Sequence, residues 1–409
     1  MVTVRPFAGM RPRNDLAAKV AAPPYDVLDS NEAREMAKGN ELSFLHINKP
    51  EIDLPPETNQ YSEAVYRKGA ENFRRFISQG IMAQDKAPMF YFYRQVMGGH
   101  SQVGLVATVS AGEYDRGLIK KHEFTRPEKE QDRVKHIMAL GAQVGPVFLT
   151  YPDDRRLNRI QAKICKGAPE CDFVSQDGVR HTVWLVPQEL NAAITDIFSA
   201  IPYLYVADGH HRSAAGSIVA KSRREINRNH SGTEEYNFFM AVIFPKSHMR
   251  IMAYNRAVMD LNGLSEGDYL KVISDRFTVK PGKPEPKRPR RFSMYLGGKW
   301  HFLEPKKGMF VEDDPVKSLD ASILQDKLLG PVLGIDNPRT NTRIKFVGGI
   351  RGTGELERLI DSGKFRVAFS LHPVTMDQLF SVADSGNVMP PKSTWFEPKL
   401  RSGLIVHMI

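Results

Sequence analysis

The sequence has 409 residues, which is too long for one ordinary compact core, so its length predicts two domains or one domain with a large elaboration. Hydrophobic residues make up 41% of the chain and charged residues 25%, a composition that excludes disordered, collagen-like and coiled-coil proteins. No stretch is apolar over the roughly 18 to 20 residues that cross a bilayer, and no apolar secretory segment follows Met1. We therefore expect a globular protein that stays in the cytoplasm and binds no membrane.

The net charge of +10 is concentrated in one segment. Residues 280–291 read K-P-G-K-P-E-P-K-R-P-R-R and hold six basic residues and one acidic residue, which is half of the net charge. Proline at this density blocks both helix and strand, so the segment is typical of an exposed connector. This distribution makes nucleic acid an unlikely partner.

Hydrophobic periodicity predicts the secondary structure in chain order. Hairpins alternate with strand–turn–helix units, so we predict an α+β fold built on a mixed sheet. The main predicted elements are helices at 30–38 and 61–79, a hairpin of strands 88–96 and 103–109, a helix from 127 to 141, strands at 145–151, 182–186 and 201–206, a helix from 210 to about 226, and strands at 238–244 and 367–371.

The strongest local motif is Ala207-Asp208-Gly209-His210-His211-Arg212, where an apolar strand turns into a helix. A helix N-terminus offers unpaired N–H groups and partial positive charge, which suits a phosphate, and Arg212 adds a bidentate donor. Asp208 would repel a bare polyphosphate, so a divalent cation is expected between them. Gly209, His210, His211 and Arg212 are the predicted phosphate-binding residues, and Asp208 is the predicted metal ligand.

A second motif, Lys121-His122-Glu123, lies at the end of a strand, where side chains can converge on a ligand. We assign Lys121 and His122 to phosphate or nucleotide binding and Glu123 to general-base catalysis, with metal binding as the alternative role. Thr125 and Glu128 fit a capping box, so the following helix is expected to start there. The charged residues 128–135 are interpreted as the solvated face of that helix.

Asp26 is the other candidate base. It follows two prolines in Pro23-Pro24-Tyr25-Asp26-Val27, and prolines reduce the entropy that is lost when a carboxylate is held in place. A carboxylate that only stabilises the loop would give the same pattern, so the choice between Asp26 and Glu123 stays open.

Five further residues are assigned to the substrate site or to a lid over it. Tyr25 and Arg126 adjoin the two loops that carry the candidate bases. Lys392, Ser393 and Thr394 follow a rigid Pro-Pro pair and would either close over a ligand or belong to an anchor for the C-terminus.

The dispersed motifs also carry a resemblance. Read together and in this order, they resemble the domain of unknown function 1015 family over nearly the whole chain. The motifs are Pro23-Pro24-Tyr25-Asp26-Val27, Lys121-His122-Glu123 with Thr125-Arg126-Pro127 and Glu130-x-Asp132-Arg133, Gly141-Ala142-Gln143 with Gly145-Pro146, Ala207-Asp208-Gly209-His210-His211-Arg212, and Met389-Pro390-Pro391-Lys392-Ser393-Thr394.

The Asp-Gly-His-His-Arg element is similar to the nucleotide-binding turn of the ParB and sulfiredoxin superfamily, which includes free serine kinases. The resemblance implies a mixed-sheet ParB/sulfiredoxin-like core with additional α/β elaborations. It also implies that Asp208 binds Mg²⁺ and that Asp26 matches the catalytic acid of an early loop, with Glu123 as its rival. The expected parts are a core with an N-terminal helical elaboration at 1–245, a strand-rich segment with the basic connector at 246–330, and a C-terminal α/β segment at 331–409 that closes on the core.

Two functions are compatible with these residues. The first is a Mg²⁺-dependent kinase that phosphorylates the hydroxyl of a small metabolite, with free L-serine as the best candidate and ATP, ADP or pyrophosphate as the donor. The second is a non-enzymatic nucleotide-binding regulator associated with DNA. The sequence does not reveal the oligomeric state.

Overall fold

The computed structural model describes all residues, Met1–Ile409. The chain forms two compact units. The first comprises Met1–Met249 together with Pro398–Ile409, and the second comprises Arg250–Glu397. None of the helices has both the length and the apolar character that crossing a membrane requires.

The strands are numbered along the chain. They are β1 (Val4–Arg5), β2 (Met10–Pro12), β3 (Met82–Gln84), β4 (Tyr91–Met97), β5 (His100–Ser110), β6 (Ile119–Lys120), β7 (Ala142–Gln143), β8 (Val147–Tyr151), β9 (Cys171–Val174), β10 (Arg180–Leu185), β11 (Leu204–Asp208), β12 (Phe238–Pro245), β13 (Ile251–Met252), β14 (Tyr254–Val258), β15 (Phe277–Pro281), β16 (Phe292–Leu296), β17 (Lys299–Pro305), β18 (Ile344–Gly348), β19 (Val367–Ser370), β20 (Trp395–Phe396) and β21 (His407–Met408).

The α-helices are numbered in the same way, leaving out short turns of other helix types. They are α1 (Ala17–Val20), α2 (Ser30–Ala37), α3 (Leu45–Asn48), α4 (Glu63–Ser78), α5 (Ala111–Asp115), α6 (Pro127–Leu140), α7 (Arg155–Ile164), α8 (Asn191–Ser199), α9 (His210–Ile226), α10 (Glu266–Ser274), α11 (Asp320–Leu324), α12 (Gly354–Asp361) and α13 (Met376–Asp384).

A nine-stranded mixed sheet organises the first unit. Its strand order is β6-β11-β8-β12-β5-β4-β10-β9, and β1 also pairs with β5. The pairs β6–β11 and β8–β12 are parallel, whereas the remaining pairs are antiparallel. Every residue of β8 and β12 is buried, as their continuous apolar sequences predict for central strands. Strand β11 lies second from one edge of this sheet, between β6 and β8.

Helices α6 and α9 pack against each other beside this sheet. Ile137 of α6 and Ala215 and Val219 of α9 form one apolar cluster. The small side chains at Ser213, Ala214 and Ala215 are buried, which lets α9 approach its neighbours closely. This packing fixes the starting point of α9 relative to the loops that precede α6.

The second unit is built on a six-stranded antiparallel sheet with the order β15-β17-β16-β19-β14-β18. Its largest apolar cluster includes Phe292, Phe369 and residues of α10 and α11. The basic connector begins with the last two residues of β15, where a strand was not predicted, and leads to β16. Its Arg288 and Arg291 both pair with Glu304. Residues 250–397, which the sequence analysis divides between two segments, lie together in this unit.

The prediction of an α+β fold with a mixed sheet is confirmed. The β4–β5 hairpin and helices α2, α4, α6 and α9 occur where the apolar periodicity places them, with small shifts at their ends. The predicted capping box at Thr125 is wrong, because the N-cap of α6 is Arg126 and the Thr125 hydroxyl donates to Glu130 instead. The prediction of a solvated helix face is also wrong in part, since Asp132 and Arg133 are buried.

The β4–β5 hairpin offers a test of the packing. A methyl group at Gly104 would lie 2.6 Å from Val242 Cγ1 and 2.9 Å from two ring carbons of Phe244. Because these are buried core atoms, we expect Gly104→Ala to lower the free energy of unfolding by about 1–3 kcal/mol, measured by urea denaturation. The control is Gly99→Ala in the same hairpin, where a methyl group meets no atom within 4 Å. Equal stability of both variants would contradict the close approach of β5 and β12.

Candidate functional site

The site is built around a left-handed glycine between β11 and α9. Gly209 has φ +91° and serves as the N-cap of α9, and no side chain caps this helix. Glycine adopts this conformation without the strain that a side chain would introduce. The first turn of α9 therefore presents backbone N–H groups that have no helical partner.

Arg212 folds back over this turn. It is 9% exposed, its Nη1 donates to the Pro146 carbonyl, and its Nη2 lies 3.7 Å from Asp26 Oδ2. Its Nε is buried without a hydrogen-bond partner and lies 3.1 Å from the position that a Cβ of Gly209 would occupy. Burial opposes the charged form, but Asp26 and Asp208 raise the pKa of Arg212. The turn thus holds a permanent cation with one unused donor.

Asp208 lies at the end of β11, directly before the glycine. Its Oδ1 accepts from the Gly209 N–H at 2.7 Å, and its Oδ2 accepts from Lys399 Nζ at 2.8 Å. Burial alone would raise the pKa of Asp208, but the charges of Lys399 and Arg212 hold it below its ordinary value. Asp208 is therefore ionised at neutral pH and lies between two cations.

His210 connects the turn to the loop before α6. Its Nε2 accepts from the His122 backbone N–H at 3.5 Å, and its ring packs edge-on against the His122 ring at 4.6 Å. The ring proton therefore lies on Nδ1, which is 3.7 Å from Glu123 Oε2. Burial lowers the pKa of both rings to about 3. The neutral rings fix the loop that carries Glu123.

His211 makes an equivalent contact further along the same loop. Its Nε2 accepts from the Arg126 backbone N–H at 3.1 Å. Burial lowers the pKa of His211, while the charges of Asp26 and Glu123 act in the opposite direction. The Arg126 side chain is exposed and pairs with Glu128. Consecutive histidines thus hold two backbone positions of one loop.

A narrow cleft adjoins Arg212 on the side of the early loop, with Tyr25 in its wall. The Arg133 guanidinium lies 3.9 Å from the centre of the Tyr25 ring and pairs with Asp132 at 2.7 Å. Several polar groups therefore converge in this Arg212 cleft. Its polar lining residues are Tyr25, Asn48, Arg133, His136, Gln143 and Arg212.

The structure brings most of the predicted site residues together. Asp26 and Glu123 lie beside Arg212 and His210, respectively, so both candidate bases reach the start of α9. Lys121 is exposed, and its Nζ lies 4.3 Å from the centre of the Tyr114 ring. The three predicted lid residues Lys392, Ser393 and Thr394 belong to the second unit, where Lys392 has φ +58° and the Ser393 hydroxyl donates to the Pro390 carbonyl.

Sequence reasoning missed Lys399 and Arg133. Arg133 carried a weak signal, because it belongs to the Glu130-x-Asp132-Arg133 motif, but its charge pattern indicated a solvated face. It is buried because Tyr25 covers its guanidinium and Tyr66 donates to the carboxylate of its partner Asp132. No local pattern marks Lys399, whose partner is distant in sequence.

The side chains at this site offer few ligands for a magnesium ion. No group of three or more His, Cys, Asp or Glu side chains is arranged to hold a metal ion. Magnesium, however, commonly uses one or two carboxylates together with substrate phosphates. Asp208 meets this requirement if Lys399 releases its Oδ2. The residues therefore fit magnesium in the company of bound phosphates.

Comparisons with known proteins give one family and several distant structures. The profile of the family described as "Protein of unknown function (DUF1015)" matches residues 4–322. No curated protein matches the sequence. A free serine kinase in complex with AMP is 11% identical with a TM-score of 0.36, over 71% of this chain and 86% of that chain. SbnI with a C-terminal truncation from Staphylococcus aureus is 12% identical with a TM-score of 0.38, over 73% of this chain and 85% of that chain. A conserved hypothetical protein from Pyrococcus furiosus is 11% identical with a TM-score of 0.34, over 71% of this chain and 90% of that chain.

The neutral histidines predict how stability depends on pH. Burial lowers the pKa of His122, His136, His181 and His210 to about 3. The unfolded chain protonates these rings near the ordinary value of about 6.5, so it binds more protons than the folded chain between the two values. The free energy of unfolding should therefore fall as the pH drops below about 6.5, as measured by urea denaturation.

The variant His136→Gln isolates the contribution of one histidine to this pH dependence. His136 Nε2 donates to the Ile47 carbonyl, and the amide of His136→Gln can replace that donor without titrating. We expect this variant to take up about one proton fewer on unfolding below pH 6.5, so its free energy of unfolding should depend less steeply on pH. Stability that stays constant down to about pH 5 in the native protein would contradict the burial of neutral rings.

Proposed function

The chain belongs to the DUF1015 family of proteins of unknown function, and we propose that it is a Mg²⁺-dependent phosphotransferase that acts on the hydroxyl group of a small metabolite. Free L-serine is the best candidate acceptor, and ATP, ADP or pyrophosphate is the donor. The similarity of the Asp-Gly-His-His-Arg turn to that of free serine kinases supports this choice of acceptor. The proposal includes a ParB/sulfiredoxin-like core within the first unit.

One observation carries the proposal: the uncapped start of α9 meets a buried arginine and two carboxylates. The first turn of α9 has backbone N–H groups without helical partners, and the Arg212 Nε beside Gly209 has no hydrogen-bond partner. Asp26 and Glu123 each lie 3.7 Å from a side chain of the first turn. Anion-binding groups next to candidate bases are the combination that phosphoryl transfer requires.

The residues would divide the reaction as follows. The N–H groups of the first turn and Arg212 bind the donor phosphates and stabilise charge on the transferred group. The acceptor hydroxyl oxygen bonds to the terminal phosphorus while the bond from that phosphorus to the bridging oxygen breaks. The hydroxyl proton passes to Asp26 or Glu123, and the shortened donor leaves with the bridging oxygen. Magnesium, held by Asp208 and the phosphates, would neutralise negative charge.

The neighbouring residues hold the loop of one candidate base and line the adjacent cleft. His210 and His211 hold the loop of Glu123, and Lys121 and His122 belong to the same loop. The Arg212 cleft, with Tyr25 and Arg133 in its wall, is the natural place for an acceptor of small size. We further propose that Arg126, Lys392, Ser393 and Thr394 act on the substrate or as a lid.

The test is direct product detection. Purified protein is incubated with Mg²⁺, L-serine and each of the three donors, and phosphoserine is measured by mass spectrometry. We expect product with at least one donor, and we expect Arg212→Lys to weaken donor binding because lysine lacks the Nε donor and the planar fork. No product with any donor, combined with salt-sensitive DNA binding, would instead favour the nucleotide-binding regulator.

The two candidate bases are separated by matched isosteric variants, Asp26→Asn and Glu123→Gln. Loss of the base should lower kcat by about 10²–10⁴-fold while the donor affinity changes little, because the amide still fits but accepts no proton. We expect this result for one variant alone. Normal kcat in both variants would contradict a carboxylate base at this site.

A further inference from the structure

Lys399, in the segment 398–409, places its ammonium group next to the glycine turn. After the second unit, Pro398–Ile409 rejoins the first unit. Its second residue, Lys399, places Nζ 2.8 Å from Asp208 Oδ2, and both side chains are largely buried. Nothing in the proposed division of roles uses this lysine. It nevertheless lies at the carboxylate next to the phosphate-binding turn.

Two buried glutamines fix the backbone from which Lys399 extends. Gln95 Nε2 of β4 donates to the Lys399 carbonyl at 2.8 Å. Gln102 Nε2 of β5 donates to the Pro398 carbonyl at 3.4 Å and to Gln95 Oε1 at 3.0 Å. Both glutamine side chains are fully buried. Burying amides is unfavourable unless they are hydrogen-bonded, so this pair specifies one position for the segment.

The charges at the turn explain why that position matters. Asp208 accepts a hydrogen bond from Lys399, and the positive charge of Arg212 also stabilises its ionised form. The Nε of Arg212 has no partner and is buried beside Gly209. Because Lys399 and Arg212 both act on Asp208, a phosphate bound at this turn would be attracted by both cations. Lysine binds phosphate as a point charge whose flexible stem allows it to change partners.

We propose that Lys399 is a phosphate-binding residue of this site, which moves from Asp208 to a donor phosphate oxygen when a nucleoside polyphosphate or pyrophosphate binds. Its departure leaves Asp208 Oδ2 open to a divalent cation. Gln95 and Gln102 are positioning residues that act through Lys399. This inference rests on the proposed phosphotransferase function, because it assigns a role within the same site.

The test separates a phosphate ligand from a mere charge partner of Asp208. Binding of ADP, ATP and pyrophosphate in the presence of Mg²⁺ is measured by calorimetry for the native protein, Lys399→Met, Asp208→Asn and the double variant. We expect Lys399→Met to weaken donor binding at least about tenfold, both in the native background and in the Asp208→Asn background. If Lys399 only neutralises Asp208, its loss has no effect once residue 208 is an amide, and that result would overturn the proposal.

A matched control is Lys221→Met. Lys221 pairs with Asp115 at 3.2 Å on the outer part of α9, away from the turn, and its loss should leave donor binding unchanged. Gln102→Leu should weaken donor binding in the native background and add nothing in the Lys399→Met background, because it acts through that lysine. An additional loss there would overturn the positioning role.

The outcomes also distinguish this inference from the proposed function. Native protein that binds none of the three donors would overturn both. Native protein that binds a donor, with Lys399→Met equally tight, overturns the role of Lys399 and leaves the proposed function standing. Unfolding midpoints of all variants show whether a lost affinity reflects a lost fold.

Discussion

The left-handed conformation of Gly209 is the constraint on which the site depends. It allows β11 to end and α9 to begin within one residue, and it brings Asp208 and Arg212 to the two sides of one turn. The Arg212 guanidinium atoms lie 3.1–3.4 Å from the position that a Cβ would take there. Any side chain at this residue would therefore strain the backbone and displace the arginine.

The paired histidines acquire a clear physical role from this geometry. Adjacent side chains on a helix point about 100° apart, so they cannot share one metal ion, but they can hold two points of a loop that runs across the helix start. His210 and His211 accept the N–H groups of His122 and Arg126 in this way. Their neutral state at physiological pH keeps the acceptor nitrogens available and adds no charge that would compete with Arg212 for an anion.

Local sequence patterns predicted the elements of the first unit well because the determining interactions are local. The β4–β5 hairpin, α6 and the β11–α9 turn are each marked by glycine, proline or apolar spacing within the element itself or directly beside it. The burial of Arg133 could not be predicted in this way. A charged residue on a helix is normally solvated, but Tyr25, from a distant part of the chain, covers the Arg133 guanidinium.

The position of Lys399 is even harder to predict from local sequence patterns. It pairs with Asp208 across 191 residues of sequence, most of which are occupied by the second unit. That unit begins and ends with β13 and β20, which pair with each other, so its two ends lie side by side. An insertion whose ends meet leaves the host chain nearly undisturbed, and the entropy of closing a loop grows only slowly with its length.

The C-terminal segment can therefore return to the first unit and complete its site in spite of the insertion. Ser402 exchanges backbone hydrogen bonds with Ala22, four residues before Asp26, and its hydroxyl accepts from Asn48. The segment that supplies Lys399 to the turn thus also holds the early loop that supplies Asp26. Neither the Lys399 ammonium nor the Asp26 carboxylate is therefore held by local contacts alone, because both depend on contacts between residues far apart in sequence.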